Sequence, residues 1–133
     1  RRPASAGCDA EGGFGMTLSV AAGTRIYLAL APTDMRKGFD GLAAQVSQVL
    51  REDPFSGHLF LFRGKRGDRL KALYWDGSGF CLFAKRLERG RFVWPRVEAG
   101  AVTLTRAQLA MLIEGMDWRR AVVFEELPRP AMV

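Results

Sequence analysis

The sequence has 133 residues, 48% of them hydrophobic, which is enough apolar material for the core of one ordinary domain. No stretch approaches the roughly 18 uninterrupted apolar residues of a membrane span, and the N-terminus lacks the basic-then-apolar order of a secretory signal, so we expect a cytoplasmic protein with no membrane partner. The formal net charge of +6 at pH 7 favours an acidic partner.

The two ends of the chain differ from its middle. Residues 1–15 are rich in Gly, Ala and charged side chains and show no periodicity, whereas Met16 is followed at once by alternating and apolar sequence. We therefore predict a natural start at Met16 and a disordered N-terminal extension over residues 1–15. Residues 121–133 are predicted to form a C-terminal tail, which leaves a single globular domain over residues 16–120.

A strand followed by a helix is predicted first. Residues 25–30 have the composition of a strand, which stops before Pro32. Apolar side chains then recur at spacings of three and four, which places the following residues on one face of a helix: Phe39, Leu42, Val46, Val49 and Leu50. Asp34 or Asp40 can cap this helix, and the pair at residues 53–54 ends it.

Short strand-like runs separated by turns come next. We predict strands at residues 58–63, 69–75, 80–85 and 91–94, because each run is apolar or alternating and the connections contain Gly, Asp and Ser. Connections of this length suit hairpins and cannot supply the crossover between parallel strands, so we expect an antiparallel meander. Residues 102–104 can add one more short strand.

A second helix begins after that run. Thr105 and Gln108 match the capping-box pattern, in which both side chains bond free backbone N–H groups at a helix start. Gly115 breaks or caps the helix, and its apolar stripe is predicted to contain Leu109, Leu112, Ile113 and Met116. Together the elements predict an α+β fold, an antiparallel β-meander of about five strands packed with two amphipathic helices.

The positive charge is concentrated in one block. Residues 63–96 hold ten basic side chains against three acidic ones, a local excess of +7, whereas the rest of the chain sums to −1. Alternation along the strand at 69–75 places Arg69, Lys71 and Trp75 on one face. The candidate nucleic-acid-binding residues are the ten basic ones and one aromatic: Arg63, Lys65, Arg66, Arg69, Lys71, Trp75, Lys85, Arg86, Arg89, Arg91 and Arg96.

This block allows more than one reading. A sheet face that mixes Arg and Lys with an aromatic can neutralise phosphates and stack on unpaired bases, whereas the tip at residues 64–67 can enter a duplex groove as a two-stranded ribbon. The structural alternative is that basic residues protect sheet edges and that Trp75 and Trp94 are half-buried core aromatics. Arg36 and Lys37 either extend the basic surface or cover the start of the helix.

The sequence gives no sign of catalysis. A nuclease or transposase active site needs carboxylates that converge on a divalent metal, but five Asp residues lie where caps and turns favour Asp: Asp34, Asp40, Asp53, Asp68 and Asp76. His58, predicted to be structural, and two cysteines fall short of the four ligands of a structural zinc site. We therefore expect that the protein is not an enzyme and binds no metal and no cofactor.

Long ordered blocks carry a family resemblance. TDMRKGFDGL at 33–42, DPFSGHLF at 53–60, FRGKRGDRLK at 62–71 and the segment 75–95 resemble the TnpB-type accessory proteins of the "sixty-six" family of bacterial insertion sequences. The similarity continues through residues 104–109 and 117–120. It implies the product of the second small reading frame of the element, which assists transposition while a separate transposase cuts and joins the DNA.

Three functions stay open at this point. The first is an accessory protein that binds the element's DNA, together with the transposase and the other accessory protein. The second is an adaptor that binds the transposase and touches no DNA, through an apolar patch near Trp118 or along the first helix. The third is an RNA-binding regulator that uses the same basic and aromatic surface.

Overall fold

The computed structural model of the protein describes residues 20–97 and 99–119, so the predicted N-terminal extension and C-terminal tail lie outside the described residues. The elements follow in the order β1 (Ile26–Ala29), α1 (Phe39–Gln48), β2 (Leu59–Arg63), β3 (Arg69–Trp75), β4 (Phe80–Arg86), β5 (Ala101–Leu104) and α2 (Arg106–Ile113). Neither of these two helices has the length and apolar character that crossing a bilayer requires.

The five strands form one mixed sheet in the order β4-β3-β2-β1-β5. The hairpins β2-β3 and β3-β4 are antiparallel, as predicted. β1, however, pairs with β2 in parallel, with Tyr27 beside Phe60, so the prediction of an entirely antiparallel meander is wrong at this pair. The reason is that α1 lies between β1 and β2 and acts as the crossover that parallel neighbours need. β5 pairs antiparallel with the other edge of β1.

The two helices cover opposite faces of the sheet, which we call the α1 side and the α2 side. On the α1 side, Leu42 and Val46 pack with Phe60, Phe62 and Leu73 in one apolar cluster. The cluster on the α2 side is larger and contains, among others, Leu28, Leu61, Tyr74, Phe83, Leu109 and Leu112. Burial of both faces explains why β2 is almost continuously apolar.

Helix α1 differs from its prediction at both ends. It ends at Gln48, before residues 53–54, and Gly38 precedes it without a side-chain cap. Asp34 and Asp40 do not cap it, because Asp34 accepts hydrogen bonds from Arg36 and Asp40 lies within the first turn. Phe39 and Val49, expected on the packed face, are 50% and 63% exposed because they lie at the two ends of the helix.

Helix α2 begins as predicted. The Gln108 N–H donates to the Thr105 hydroxyl oxygen at 3.1 Å, and the Thr105 N–H donates to the Gln108 side-chain oxygen at 3.0 Å, which completes the capping box. Gly115, with a φ of 79°, carries the chain out of the helix. Met116 therefore lies beyond the helix and is 52% exposed, so its place in the buried stripe is a wrong prediction.

The strand predicted at residues 91–94 is absent, and these residues form an irregular segment that we call the strap. The N–H of Phe92 donates to the carbonyl oxygen of Gly67 at 2.9 Å instead of joining the ladder of β4. Trp118 also fixes the strap, because its indole N–H donates to the carbonyl oxygen of Val93 at 2.8 Å. Trp118 is 5% exposed, so its own side chain is not available for docking, whereas Met116, two residues before it, is 52% exposed.

Candidate nucleic-acid interface

Positive charge collects on the α1 side, at one end of the β3-β4 hairpin. Arg69 and Lys71 point to this side because they alternate with Leu70 and Ala72, which belong to the core on the α2 side. Arg69 lies directly opposite Arg86 of β4, so two guanidinium groups are cross-strand neighbours on one face. These three basic residues contribute to the lining of an open groove of about 520 Å³.

A second groove of about 540 Å³ continues from the first along the turn between β2 and β3. Met35 and Arg69 line both grooves, which makes the surface continuous. Lys65 and Arg66 are exposed on the turn, and Arg36 lines the second groove from the segment before α1. We call this surface the basic groove and define it by six residues: Arg36, Lys65, Arg66, Arg69, Lys71 and Arg86.

Carboxylates neutralise the basic groove only in part. Arg36 forms an exposed salt bridge with Asp34 at 2.9 Å, and Arg86 forms one with Glu88 at 3.0 Å. Hydrogen bonds from the side chain and the backbone N–H of Arg36 lower the pKa of Asp34 from 3.8 to about 2. In the part of the chain that the structure describes, three further cations of the groove have no salt-bridge partner: Lys65, Arg66 and Arg69.

Lys71 ties the groove to the segment that leads into α1. Its ammonium group donates to the carbonyl oxygen of Lys37 at 2.8 Å, which uses one of its three N–H donors. Arg36 thus extends the basic surface, whereas Lys37 contributes a backbone acceptor that positions Lys71. The two residues that the sequence left open have different roles.

The other basic candidates are directed elsewhere. Arg63 points to the α2 side, where its guanidinium carbon lies 5.4 Å from the ring centroid of Trp94. Lys85 contributes to the lining of the first groove, but its ammonium group donates to the carbonyl oxygen of Ile113 at 2.8 Å on the α2 side. The last three are exposed on the segment after β4: Arg89, Arg91 and Arg96. The ten basic residues therefore do not share one face, and five of them belong to the basic groove.

The two glycines that flank the turn between β2 and β3 are covered by neighbouring segments. Gly64 and Gly67 are buried, and a Cβ atom on Gly64 would lie 2.8 Å from the Cγ of Met35. Gly67 has a φ of 85°, and a Cβ there would meet the side chains of Arg91 and Trp94 at 3.1 and 3.4 Å. The turn is thus enclosed between the approach to α1 and the strap. Only Lys65 and Arg66 reach outward, so a protruding two-stranded ribbon is not available.

Trp75 lies at the other end of β3 from Arg69, on the same side of the sheet. Its ring is partly exposed and contacts two aromatic rings edge-on, that of Phe80 at 5.1 Å and that of Phe55 at 5.0 Å. Trp75 and Trp94 are both partly buried, as the structural alternative predicted.

Phe55 and Met35 are the site residues that the sequence did not single out. Phe55 is 56% exposed although it contacts two other rings. Its position depends on a turn in which the Asp53 carboxylate accepts the Phe55 N–H at 2.9 Å. The adjacent Asp53 and Pro54 indicate this turn in the sequence. Met35 carried no signal, because its role is to connect two grooves that form only in the folded chain.

Three aspartates and His58 have structural roles. Asp34, Asp53 and Asp76 accept backbone N–H groups two residues ahead, as predicted for turns. Asp68 departs from that pattern, because its Oδ1 is buried without a hydrogen bond within the described residues. His58 accepts the Arg25 N–H at its Nδ1 at 3.0 Å, which joins the start of β2 to that of β1. Over residues 20–97 and 99–119, no three His, Cys, Asp or Glu side chains are grouped to hold a metal.

Comparison with known proteins identifies the family. The model of the family described as "IS66 Orf2 like protein" matches residues 24–122. Two proteins of Sinorhizobium fredii are similar: "Uncharacterized protein y4hO" is 50% identical over 109 residues, which are 82% of this chain and 92% of that protein. "Uncharacterized protein y4jC" is 44% identical over 111 residues, 84% of this chain and 94% of that protein. No solved structure matches. The chain belongs to the IS66 Orf2-like family of insertion-sequence accessory proteins.

Proposed function

We propose that the protein is a non-catalytic accessory subunit for transposition that binds nucleic acid through the basic groove. The observation that carries the proposal is the cross-strand pair of Arg69 and Arg86, with Lys71 beside it on the same face. Like charges directly opposite each other destabilise a sheet, so the arrangement is unfavourable in the free protein. A phosphate bound between the two guanidinium groups offsets that repulsion and accepts hydrogen bonds from both.

The groove also suits a polyanion more than a single ion. Its six cations extend from the β4 edge past Arg69 to the turn at Lys65 and Arg66, along two connected grooves. A chain of phosphates can contact several of them at once, and the release of counterions then favours binding. Five of the basic residues from the segment 63–96 belong to this groove, which is more than the protection of one sheet edge requires.

Protein docking is a second candidate, and one observation favours it. Phe39 and Val49, at the two ends of α1, are 50% and 63% exposed, so both apolar side chains are accessible to a protein partner. An adaptor that binds the transposase would use this helix. Replacement of Val49 by Glu would then abolish co-purification with the transposase and leave oligonucleotide binding intact.

The proposal is tested by fluorescence anisotropy with labelled DNA and RNA oligonucleotides at low ionic strength. The double variant Arg69→Glu/Lys71→Glu should reduce affinity on the order of 10- to 100-fold, since two phosphate contacts become repulsive. The control is Arg106→Glu, which reverses one exposed charge on the first turn of α2, outside the groove; the single variant Arg69→Glu changes the net charge equally and should bind more weakly than this control. Equal affinities for the two variants, or no binding by the wild-type protein, would refute the proposal.

A further inference from the structure

The α1 side of the β3-β4 hairpin has different chemistry at its two ends. Cross-strand neighbours on this face are Arg69 with Arg86 at one end and Trp75 with Phe80 at the other. Trp75 is the sixth residue after Arg69 along β3, a distance of about 20 Å in a strand. Cations and aromatic rings therefore lie on one surface, at a separation that a short flexible ligand can span.

The aromatic end is a fixed cluster with one ring turned outward. Phe55 lies against Trp75 and Phe80, with ring centroids 5.0 and 5.1 Å apart. The hairpin positions the rings of Trp75 and Phe80, and the turn at Asp53 positions the ring of Phe55. Phe55 remains 56% exposed. We call these three residues the aromatic cluster, and the outer ring is free to stack on a planar ligand.

The edge strand β4 connects the aromatic cluster to the basic groove. Helix α1 packs over the centre of the hairpin, where it buries Leu73 and also contacts β4, but β4 lies at the edge of the sheet. The β4 residues on this face are all at least partly exposed: Phe80, Leu82, Ala84 and Arg86. A flexible ligand can therefore follow the outer edge of β4 from one end of the hairpin to the other.

We propose that this surface binds single-stranded nucleic acid, with phosphates in the basic groove and a base stacked on Phe55. The inference rests on the proposed function and specifies its ligand. Unpaired bases can stack on an exposed ring, whereas the bases of a duplex are already stacked on each other. The enclosed turn at Gly64 and Gly67 agrees with this choice, because it cannot enter a duplex groove as a ribbon.

The test compares four labelled ligands by anisotropy with the full chain. They are oligo-dT, oligo-U, a DNA duplex, and an abasic strand that keeps the phosphates without the bases. Each has about 12 nucleotides per strand, a length within the range of single-strand-binding folds. We expect oligo-dT or oligo-U to bind more tightly than the duplex and about tenfold more tightly than the abasic strand, since one stack is lost. The preference between oligo-dT and oligo-U separates DNA from RNA.

The variants isolate the stacking ring. Phe55→Ala should lower affinity for oligo-dT about tenfold and leave affinity for the abasic strand unchanged, whereas Phe55→Tyr should retain binding. Val49→Ala, which shortens another exposed apolar side chain on the α1 side, is the control. Binding of the duplex as tight as that of both single strands, or no effect of Phe55→Ala on either strand, would overturn this inference while the proposed function stands. Failure of the wild-type protein to bind any of the ligands would overturn both.

Discussion

Trp94 donates its indole N–H to the carbonyl oxygen of Gly67 at 3.0 Å, and the Phe92 N–H donates to the same oxygen at 2.9 Å. Two donors on one carbonyl use both of its lone pairs and hold the turn between β2 and β3 against the strap. Lys65 and Arg66 thus project from a backbone that is already ordered. Less conformational entropy is lost when they bind an anion than if the turn were free.

Substitution of Gly67 by Ala tests this contact. The φ of 85° disfavours any side chain by about 1–2 kcal/mol, and a Cβ would also lie 3.1 Å from the Cδ of Arg91. The control is Gly90→Ala, where φ is 77° and a Cβ meets no atom within 4 Å. Urea unfolding should show a larger loss of unfolding free energy for Gly67→Ala than for Gly90→Ala, and equal losses would contradict the role of the strap.

Reversal of one charge in the facing pair should stabilise the fold. Arg69→Glu places a carboxylate opposite Arg86, and a cross-strand pair of opposite charge contributes about 0.2–1 kcal/mol. We expect the free energy of unfolding to rise by that amount while nucleic-acid binding falls. The double variant Arg69→Glu/Arg86→Glu restores like charges and also removes the Arg86–Glu88 salt bridge, so it should be less stable than Arg69→Glu. A less stable Arg69→Glu protein would show that the two arginines do not repel each other.

Local patterns predicted the elements better than their pairing. β3 has the predicted bounds because alternation of apolar and polar side chains is local information. The parallel pairing of β1 with β2 is not local information, because it depends on how the connection through α1 crosses the sheet; it brings Tyr27 beside Phe60, with stacked ring centroids 5.3 Å apart. The strap has strand composition but no strand, because its polar groups bond a turn about 25 residues away in the chain.

The candidate site was predictable to the same extent. Alternation places Arg69 and Lys71 on one face, but the addition of Arg86 depends on the register of the hairpin. Arg63 and Lys85 alternate with residues that face the α1 side, so their own side chains point to the α2 side. The run of basic residues in the sequence therefore contains more cations than the basic groove does. The contribution of Phe55 follows from a loop that folds onto the hairpin, which no sequence period records.

Acid titration gives an independent test of the groove's edge. The Arg36 hydrogen bonds lower the pKa of Asp34 to about 2, so the stabilising contribution of this pair is complete above pH 3.8 and is lost as the pH falls through about 2. An NMR titration of the Asp34 carboxyl should give a midpoint near 2 in the wild-type protein. In Arg36→Gln the midpoint should return toward 3.8, and an unchanged midpoint would show that Arg36 is not its partner.

The salt dependence of binding tests the central claim most directly, because the claim is that phosphates neutralise the cations of the basic groove. For a single strand, the logarithm of the binding constant should fall linearly with the logarithm of salt concentration, by about 0.7 per phosphate neutralised. We predict that Arg69→Gln reduces this slope by about 0.7 relative to wild type and that Arg106→Gln leaves it unchanged. A wild-type affinity that is independent of salt, or an Arg69→Gln slope equal to that of wild type, would contradict the account.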